Sequence, residues 1–460
     1  MRRFAILLLV LALIMGVAAM WASRTPGGQG LREVGQDAGE AYIYGYPLVL
    51  MDQTRRAMLA APASDTGPTF QTNRLGHIRD LPNADDIAVV RPNRDTLYSI
   101  AWLDLSQGPV VLRWPDMGER YWLFQSLDAW TDVVGTVGSR TTAPGPGGVL
   151  IAGPGWDGPA LPGMQRIQVE TEMAWILGRI AVAPTSADMA RGHALQDQFD
   201  LAGPAIDAPD LPAPSGRPAE TVASMAPEVF FDHLAGLLEA NPPRVEDTAM
   251  VDRLQRLGLE EGQYDPREFG ALARQAKARG VSVARTRLVD GVSNLPGGPT
   301  GWRTALNLGA YGTDYALRAG VALIGLGANL PDDAIYPLTE VDSQGRALSG
   351  DGIYQIRFEA GGEPPARAFW SVTAYNGEGF LQRVNQASTG DRSGLVRGED
   401  GSLTLTISAR RPPGAPQSNW IEVQPGEPFQ LSARLYDPEP KALSGDWLMP
   451  PVERVDTPDD

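Results

Sequence analysis

The order of strand-like and helix-like segments is the feature of this chain that most limits its fold. Runs rich in β-branched and aromatic residues, separated by Gly, Pro and Asp, fill residues 87–183 and return at 335–436. The stretch between them, from about 186 to 290, carries helix-forming residues, and another helix is predicted at 33–60. Because strands and helices are segregated and do not alternate, the sequence predicts an α+β fold.

Four regions follow from this order. Residues 1–22 are predicted to be a signal peptide or an N-terminal anchor, and 31–185 a first module made of a helix and a β-sandwich. Residues 186–300 are predicted to form a helical middle with a Pro-rich linker, and 301–456 a C-terminal β-sandwich module. Within the last region, residues at helical spacing predict one long helix over 302–326.

The two strand-rich regions share a spacing of residues that suggests an internal duplication. In each, a tryptophan is followed six residues later by Asp or Asn, and an arginine comes in a later strand. The matching positions are Trp122 and Trp370, Asp128 and Asn376, and Arg179 and Arg434. Chance matches among aromatic strands are common, so two unrelated sandwiches are the alternative.

The N-terminus predicts export. Arg2 and Arg3 precede an uninterrupted apolar run from Phe4 to Ala22, with small residues suited to cleavage after Ala19. The run is close to the ~20 residues that span a bilayer, so an uncleaved anchor is the alternative. Both interpretations place the folded part in the periplasm or elsewhere outside the cytoplasm, with membrane contact only through the anchor.

Composition and missing motifs exclude several classes of function. A net charge of −16 argues against nucleic acid as a partner, because binding phosphates requires clustered cations. The absence of cysteine removes disulfides and thiolate chemistry. The sequence has no phosphate loop, dinucleotide Gly motif or Gly-x-Ser-x-Gly elbow. Since His77, His193 and His233 lack metal-pair spacing, neither a metal nor a cofactor is expected.

The densest polar segment is NRDTLYS, residues 93–99. Asp95 and Tyr98, together with Asp128 and Arg140, are predicted to be catalytic if they line one pocket. Two carboxylates near a tyrosine can serve as acid and base when burial separates their pKa values. The structural alternative is that the Asn and Asp of this segment only turn the chain through bonds to nearby backbone.

A polar strand face is predicted in the C-terminal module. Ser371, Thr373 and Tyr375 alternate with apolar residues, so their side chains share one face of a strand. This face is either a ligand-binding surface or the solvent-exposed side of a sandwich. With the first module included, the candidate ligand-binding residues are Asn93, Thr96, Ser371, Tyr375 and Arg434.

Several motifs are shared with a known family. In the first half these are NRDTLYS (93–99), RYWLFQSLDAWTDVVG (120–135) and GPGW (153–156), and in the second half DYALRAGVALIGLGAN (314–329), FWSVTAYN (369–376) and GDWLMPPV (445–452). They resemble a secreted bacterial family in which a domain of unknown function 1254 precedes a domain of unknown function 1214. The resemblance implies two jelly-roll-like β-sandwich modules with helices between them, and it implies little about chemistry.

Two classes of function remain open at this point. One is a hydrolase-like enzyme that acts on a small molecule or a component of the cell envelope. The other is a non-catalytic binding or assembly protein for an envelope glycan or a small hydrophobic ligand. A homo-oligomer is compatible with either class.

Overall fold

A computed structural model describes residues 14–25, 30–61, 68–86, 90–159, 161–206, 214, 216–293 and 297–455. Residues 1–13 of the predicted signal or anchor, most of the strand predicted at 87–91 and part of the Pro-rich linker lie outside these ranges. Residues 14–22 are helical. Within the described ranges, no helix combines the length and the apolar character needed to cross a membrane.

The helix predicted at 33–60 is confirmed as α1 (Leu31–Leu59), which continues through Pro47 and is buried over most of its length. It packs against α6 (Ala271–Ser293) at a position where glycines let the two backbones meet. A Cβ atom placed on Gly280 would lie 1.9 Å from the carbonyl oxygen of Gly35. Any larger residue at Gly280 would therefore push the two helices apart.

The first module is a sandwich of two sheets, with strand orders β1-β2-β8-β4-β5 and β7-β6-β3-β9. One core joins them, with Trp122 and Ile176 from the first sheet against Val110 and Val149 from the second. The strands are β1 (Gly76–Ile78), β2 (Thr96–Asp104), β3 (Val110–Trp114), β4 (Trp122–Asp128), β5 (Val133–Gly138), β6 (Gly147–Ala152), β7 (Gln165–Gln168), β8 (Met173–Ala181) and β9 (Asp200–Ala202).

The middle of the chain is helical, with a two-stranded hairpin formed by β10 (Leu259–Glu260) and β11 (Gln263–Tyr264). Its helices are α2 (Ser186–Gln196), α3 (Pro218–Ser224), α4 (Pro227–Leu238), α5 (Thr248–Arg256) and α6, followed by α7 (Tyr315–Gly325). Helices α1 and α4–α7 share one apolar core. We call this group the helical layer.

The long helix predicted over 302–326 is wrong, because only α7 forms within it. Arg303 forms a β-bridge with Leu338 instead. Gly309 and Gly312 have φ angles of 78° and 52°, values that a right-handed helix does not use. The helix begins after Asp314, whose side chain accepts a hydrogen bond from the Leu317 amide.

The C-terminal module is a second two-sheet sandwich around its own core. Its strand orders are β12-β19-β15-β16, with β13 also on β19, and β18-β17-β14-β20. The strands are β12 (Ala334–Ile335), β13 (Leu338–Thr339), β14 (Tyr354–Phe358), β15 (Ala366–Asn376), β16 (Ser388–Gly390), β17 (Leu403–Ser408), β18 (Trp420–Glu422), β19 (Phe429–Pro438) and β20 (Glu453–Arg454), with a short helix α8 (Pro440–Leu443) before the last.

The two modules have the same strand order. The run β2-β8-β4-β5 corresponds to β12/β13-β19-β15-β16, and β3-β6-β7 corresponds to β14-β17-β18. Even the parallel pair recurs, as β6 with β7 and as β17 with β18. The spacing similarity seen in the sequence therefore corresponds to a repeated topology.

The register of the paired strands shows which residues of the two modules are equivalent. Trp122 lies opposite Ile180, and Trp370 lies opposite Leu435, so Arg179 and Arg434 occupy equivalent positions one residue earlier. Leu97 also lies opposite Ile180, and Ile335 opposite Leu435. Tyr98 follows Leu97 and Tyr336 follows Ile335, so the two tyrosines are equivalent as well.

The large sheet of the first module is covered by two different partners. At one end, Trp102 and Trp175 stack with ring centres 4.8 Å apart and pack into the helical layer. At the other end, Tyr121 contacts the rings of Phe369 and Tyr436 in the C-terminal module. The large sheets of the two modules thus meet across a mixed aromatic and polar interface.

Candidate functional site

The polar segment after Pro92 lies in this interface. The side chain of Asn93 accepts a hydrogen bond from the Asp95 amide at 2.7 Å and donates one to Thr96 Oγ1 at 2.9 Å. This is the chain-turning role given above as the structural alternative. Asp95 does more, because its Oδ2 accepts hydrogen bonds from Ser371 Oγ at 2.7 Å and from the Tyr436 hydroxyl at 3.0 Å.

The hydroxyl-bearing face of β15 is buried against the first module. The Tyr375 hydroxyl donates to the carbonyl of Pro92 at 2.8 Å, and Arg434 Nη2 donates to the carbonyl of Arg91 at 2.8 Å. The interpretation of this face as a solvent-exposed surface is therefore wrong. All five residues proposed to bind a ligand lie in or beside the interface.

At the middle of the interface are the two equivalent pairs, Tyr98 with Arg179 and Tyr336 with Arg434, which we call the tyrosine–arginine centre. The guanidinium carbon of Arg179 lies 5.4 Å from the centre of the Tyr98 ring. Both arginines are buried, at 7% and 3% exposure, whereas both tyrosines are only half-buried. Each tyrosine therefore keeps some exposed surface, whereas the two cations stay enclosed.

The charges at this centre shift the acidity of its phenols. Burial alone would raise the pKa of Tyr98, but Arg179 and Arg434 outweigh burial and lower it. At Tyr336, burial prevails over the same two arginines and raises the pKa. Burial lowers the pKa of Arg179, yet Tyr98 and Tyr336 more than offset this and raise it, so Arg179 remains charged.

Positive charge is in excess at the centre. Asp95 is its buried carboxylate, and Arg392 lies within ion-pair distance of it at 3.6 Å. Arg179 donates to Gln125 Oε1 at 2.9 Å and to the Gly327 carbonyl at 3.3 Å, and it forms no ion pair with a carboxylate of the described chain. Its Nε atom is buried and has no hydrogen-bond partner there.

The predicted catalytic group of Asp95, Tyr98, Asp128 and Arg140 does not assemble in one pocket. Along β8, Tyr98 pairs with Arg179 whereas Asp128 pairs with Ala174. Five residues of extended strand separate these positions by about 17 Å, at ~3.3 Å per residue. Arg140 is occupied by an ion pair with the buried Asp333 at 2.7 Å.

Asp128 belongs to a different buried group, the aspartate–arginine cluster of Asp128, Asp132, Arg244 and Arg318. Arg244 bridges the two aspartates, with Nη2 2.9 Å from Asp128 Oδ2. Burial raises the pKa of Asp128 to about 6, even though Arg244 lowers it. The cluster joins the end of β4 to the helical layer.

The histidines form ordinary local contacts. His77 Nδ1 lies 2.8 Å from Ser99 Oγ, and burial lowers the pKa of His77 to about 4. His233 pairs with the buried Asp52, and His193 contacts the carbonyl of Arg79. In the described part of the chain, no three His, Cys, Asp or Glu side chains lie close enough to hold a metal ion.

Sequence reasoning missed Arg244, Arg318 and Tyr336. Arg244 follows two prolines in a loop, where nothing in the local pattern signals a buried ion pair. Arg318 lies at helical spacing within 302–326, a pattern that predicts a helix but not a buried charge. Tyr336 could have been found by extending the duplication to the first strand of each module, because its equivalence to Tyr98 follows from that alignment.

Two sandwiches of the same topology, joined by a helical layer and meeting across a buried polar interface, define a two-module α+β protein. The chain belongs to the family in which "Protein of unknown function (DUF1254)", matched at residues 72–203, is followed by "Protein of unknown function (DUF1214)", matched at 333–440.

A solved structure shares this fold. The crystal structure of the VPA0106 protein from Vibrio parahaemolyticus matches with a TM-score of 0.69 and 23% identity, over 92% of this chain and all of that one. An uncharacterised protein from Burkholderia cenocepacia matches 92% of this chain and 94% of its own, with 15% identity and a TM-score of 0.45. No curated protein matches the chain.

Proposed function

We propose that this chain is an exported periplasmic or envelope protein that binds a small anionic molecule, such as a carboxylate, between its two modules. The observation that carries the proposal is the buried guanidinium of Arg179, which has no carboxylate partner in the described chain. The N-terminal arginines and the apolar run after them support export.

An anion fits this centre for electrostatic reasons. A buried charge is costly unless it is paired and hydrogen-bonded, and the neutral acceptors around Arg179 leave its charge unbalanced. A carboxylate accepts the paired N–H groups of a guanidinium in a geometry that neutral oxygens do not match. The half-buried rings of Tyr98 and Tyr336 mark where the organic part of such a ligand would lie.

The scaffold supports a jelly-roll-like description of each module. In each large sheet an early strand neighbours the last long strand, as β2 with β8 and as the two-residue β12 with β19, and the last long strand also pairs with β4 or β15. This nested pairing is the arrangement that jelly rolls use. The proposed site lies where these two large sheets face each other.

A hydrolase-like activity is the second candidate, and the lowered pKa of Tyr98 favours it. A phenol held beside two arginines loses its proton more readily and can accept one from a water molecule or a substrate. For this activity Asp95 and Tyr98 remain candidate catalytic residues, whereas Asp128 and Arg140 form ion pairs elsewhere.

Titration calorimetry with acetate and acetamide, which have nearly the same shape, tests the proposal. We expect acetate to bind more tightly than acetamide to the wild-type chain, and Arg179→Met to weaken acetate at least tenfold. The matched control is Arg120→Met, which removes another partly buried arginine of the first module that already has a carboxylate partner, Asp188. Equal binding of the two probes, or equal loss in both variants, would overturn the proposal.

A further inference from the structure

A second enclosed site lies outside the tyrosine–arginine centre, around Arg318 of α7. This side chain has no exposed surface, and its three guanidinium nitrogens have no hydrogen-bond partner in the described chain. Its nearest carboxylate oxygen, Asp132 Oδ2, is 3.9 Å from Nη1, beyond hydrogen-bond distance. A guanidinium carries five N–H donors, and here none of them has an acceptor.

Three aromatic rings enclose the guanidinium. Its carbon lies 5.3 Å from the ring centre of Tyr44, 5.1 Å from that of Trp130 and 5.3 Å from that of Tyr315. These rings stabilise the positive charge through their faces, but they do not satisfy donors that lie in the guanidinium plane. Arg318 is therefore held in place with its hydrogen-bonding capacity unused.

Thr131 provides an independent observation on the segment that contains Trp130 and Asp132. It lies between Trp130 and Asp132 in the chain, is 4% exposed, and its hydroxyl also has no partner in the described residues. Its φ angle of 75° is unusual for a β-branched residue. Residues that keep a strained backbone and an unsatisfied buried polar group occur most often at functional sites.

The charges around Arg318 select against an anion. The group carries three negative charges, from the carboxylates of Asp128, Asp132 and Asp247. It carries two positive charges, from the guanidinium groups of Arg244 and Arg318. Both Tyr44 and Tyr315 donate their hydroxyls to Asp247, so that carboxylate is held beside the rings. Adding another negative charge would increase the imbalance, whereas a neutral oxygen acceptor would not.

We propose that Arg318 and Thr131 bind a small uncharged molecule through carbonyl or hydroxyl oxygens, in a site enclosed by Tyr44, Trp130 and Tyr315. Of the three rings, Tyr315 alone is partly exposed, so the ligand reaches the site past this residue. The segment before it contains Gly309 and Gly312 in left-handed conformations and is tied to Asp132 by the Tyr311 amide at 2.7 Å. Movement of this segment would open the site.

Crystals of the purified chain soaked in acetamide or in acetate at pH 7.5 test this site, with affinities measured in solution by titration. We expect acetamide to lie with its carbonyl oxygen on the Arg318 nitrogens, and acetate to be absent from this position. Arg318→Met should weaken acetamide at least tenfold. The control, Arg285→Met, removes an arginine that packs over the Tyr42 ring in the same helical layer, and should leave acetamide binding unchanged.

Thr131→Val keeps the shape of the side chain and removes only the hydroxyl, so it tests the site even if Arg318→Met does not fold. We expect it to weaken acetamide three- to tenfold. Ordered water alone on the Arg318 nitrogens of soaked crystals would overturn the proposal. So would tighter binding of acetate than of acetamide at this position, or unchanged acetamide affinity in Thr131→Val.

Discussion

The two sandwich modules have one topology, yet their large sheets carry different chemistry. In the first module that sheet meets the helical layer mainly through apolar residues, with the ion-paired Asp128 at the end of β4, and it is polar at its far end. In the C-terminal module the outer face of β15 and β19 carries polar side chains, such as Ser371 and Arg434, beside the aromatic rings of Phe369 and Tyr436, and it contacts the first module. The difference is sharpest at two equivalent positions, where Asp128 is a buried ion-pair residue and Asn376 is half-buried and caps a local turn.

This contrast shows that the strand order of a module does not determine which polar residues the module buries. The repeated strand order needs only alternating apolar residues on the inner face of each sheet. What packs at the end of each strand decides which polar residues are tolerated there. The helical layer brings Arg244 to Asp128, whereas nothing comparable lies over Asn376.

The largest expected effect comes from removing Arg244, the cation that the helical layer brings to Asp128. Arg244→Ala should lower the free energy of unfolding by about 3–5 kcal/mol, because Asp128 and Asp132 would remain buried without their partner. Urea denaturation measures this. The matched change in the C-terminal module, Arg346→Ala, removes a partly exposed arginine from the buried Asp342. That carboxylate keeps hydrogen bonds from the Gln344 and Arg346 amides, so the change should cost about 1 kcal/mol or less.

The pH dependence of stability separates the modules further. Since the folded pKa of Asp128 is raised to about 6, its proton is held more tightly in the folded chain. The contribution of Asp128 to stability should therefore fall as the pH rises from about 4 to 6, by on the order of 1–3 kcal/mol. Asp128→Asn should lack this fall when unfolding is followed across the same pH range, and an unchanged pH profile in that variant would contradict the assignment.

The hydrogen bonds between modules should have a smaller effect. Tyr436→Phe removes one donor to the Asp95 carboxylate and should cost about 1.5–3 kcal/mol, as for hydrogen bonds to charged groups. In a double-mutant cycle with Asp95→Asn the two losses should not add, because the residues share one contact. Strict additivity would mean that the two modules do not meet here.

The smallest effect is expected at the position that matches Asp128. Asn376→Asp keeps the side-chain oxygen that accepts from the amides of Glu378 and Phe380, so unfolding should change by less than about 1 kcal/mol. Chemical denaturation at pH 7 measures this directly. A loss as large as that from Arg244→Ala would remove the contrast between the modules.

Much of the fold could be predicted from local patterns. Segregated strands and helices, the long N-terminal helix and the tryptophan and arginine spacing all reflect short-range periodicity, which a sequence displays directly. The helix over 302–326 was over-extended because helical spacing continued through glycines that need positive φ. Glycines inside a helical pattern are themselves signals of a break, and they received too little weight against the helical spacing.

The site could be predicted only in part. The segment at 93–99 and the polar face of β15 were recognised separately, but no pattern indicates that two modules bury them against each other. Asp128 was grouped with Asp95 because both are carboxylates near strand ends. Its true partner, Arg244, is distant in sequence, and only the packing of the helical layer brings the two together.

The structure of the chain in crystals soaked with acetate is the most direct test of the central claim, that the modules enclose an unbalanced positive charge. The account predicts acetate in the interface, with a carboxylate oxygen within hydrogen-bond distance of Arg179 Nε, the buried nitrogen without a partner in the described chain. An interface without acetate, in which water alone or a protein group contacts that nitrogen, would contradict it.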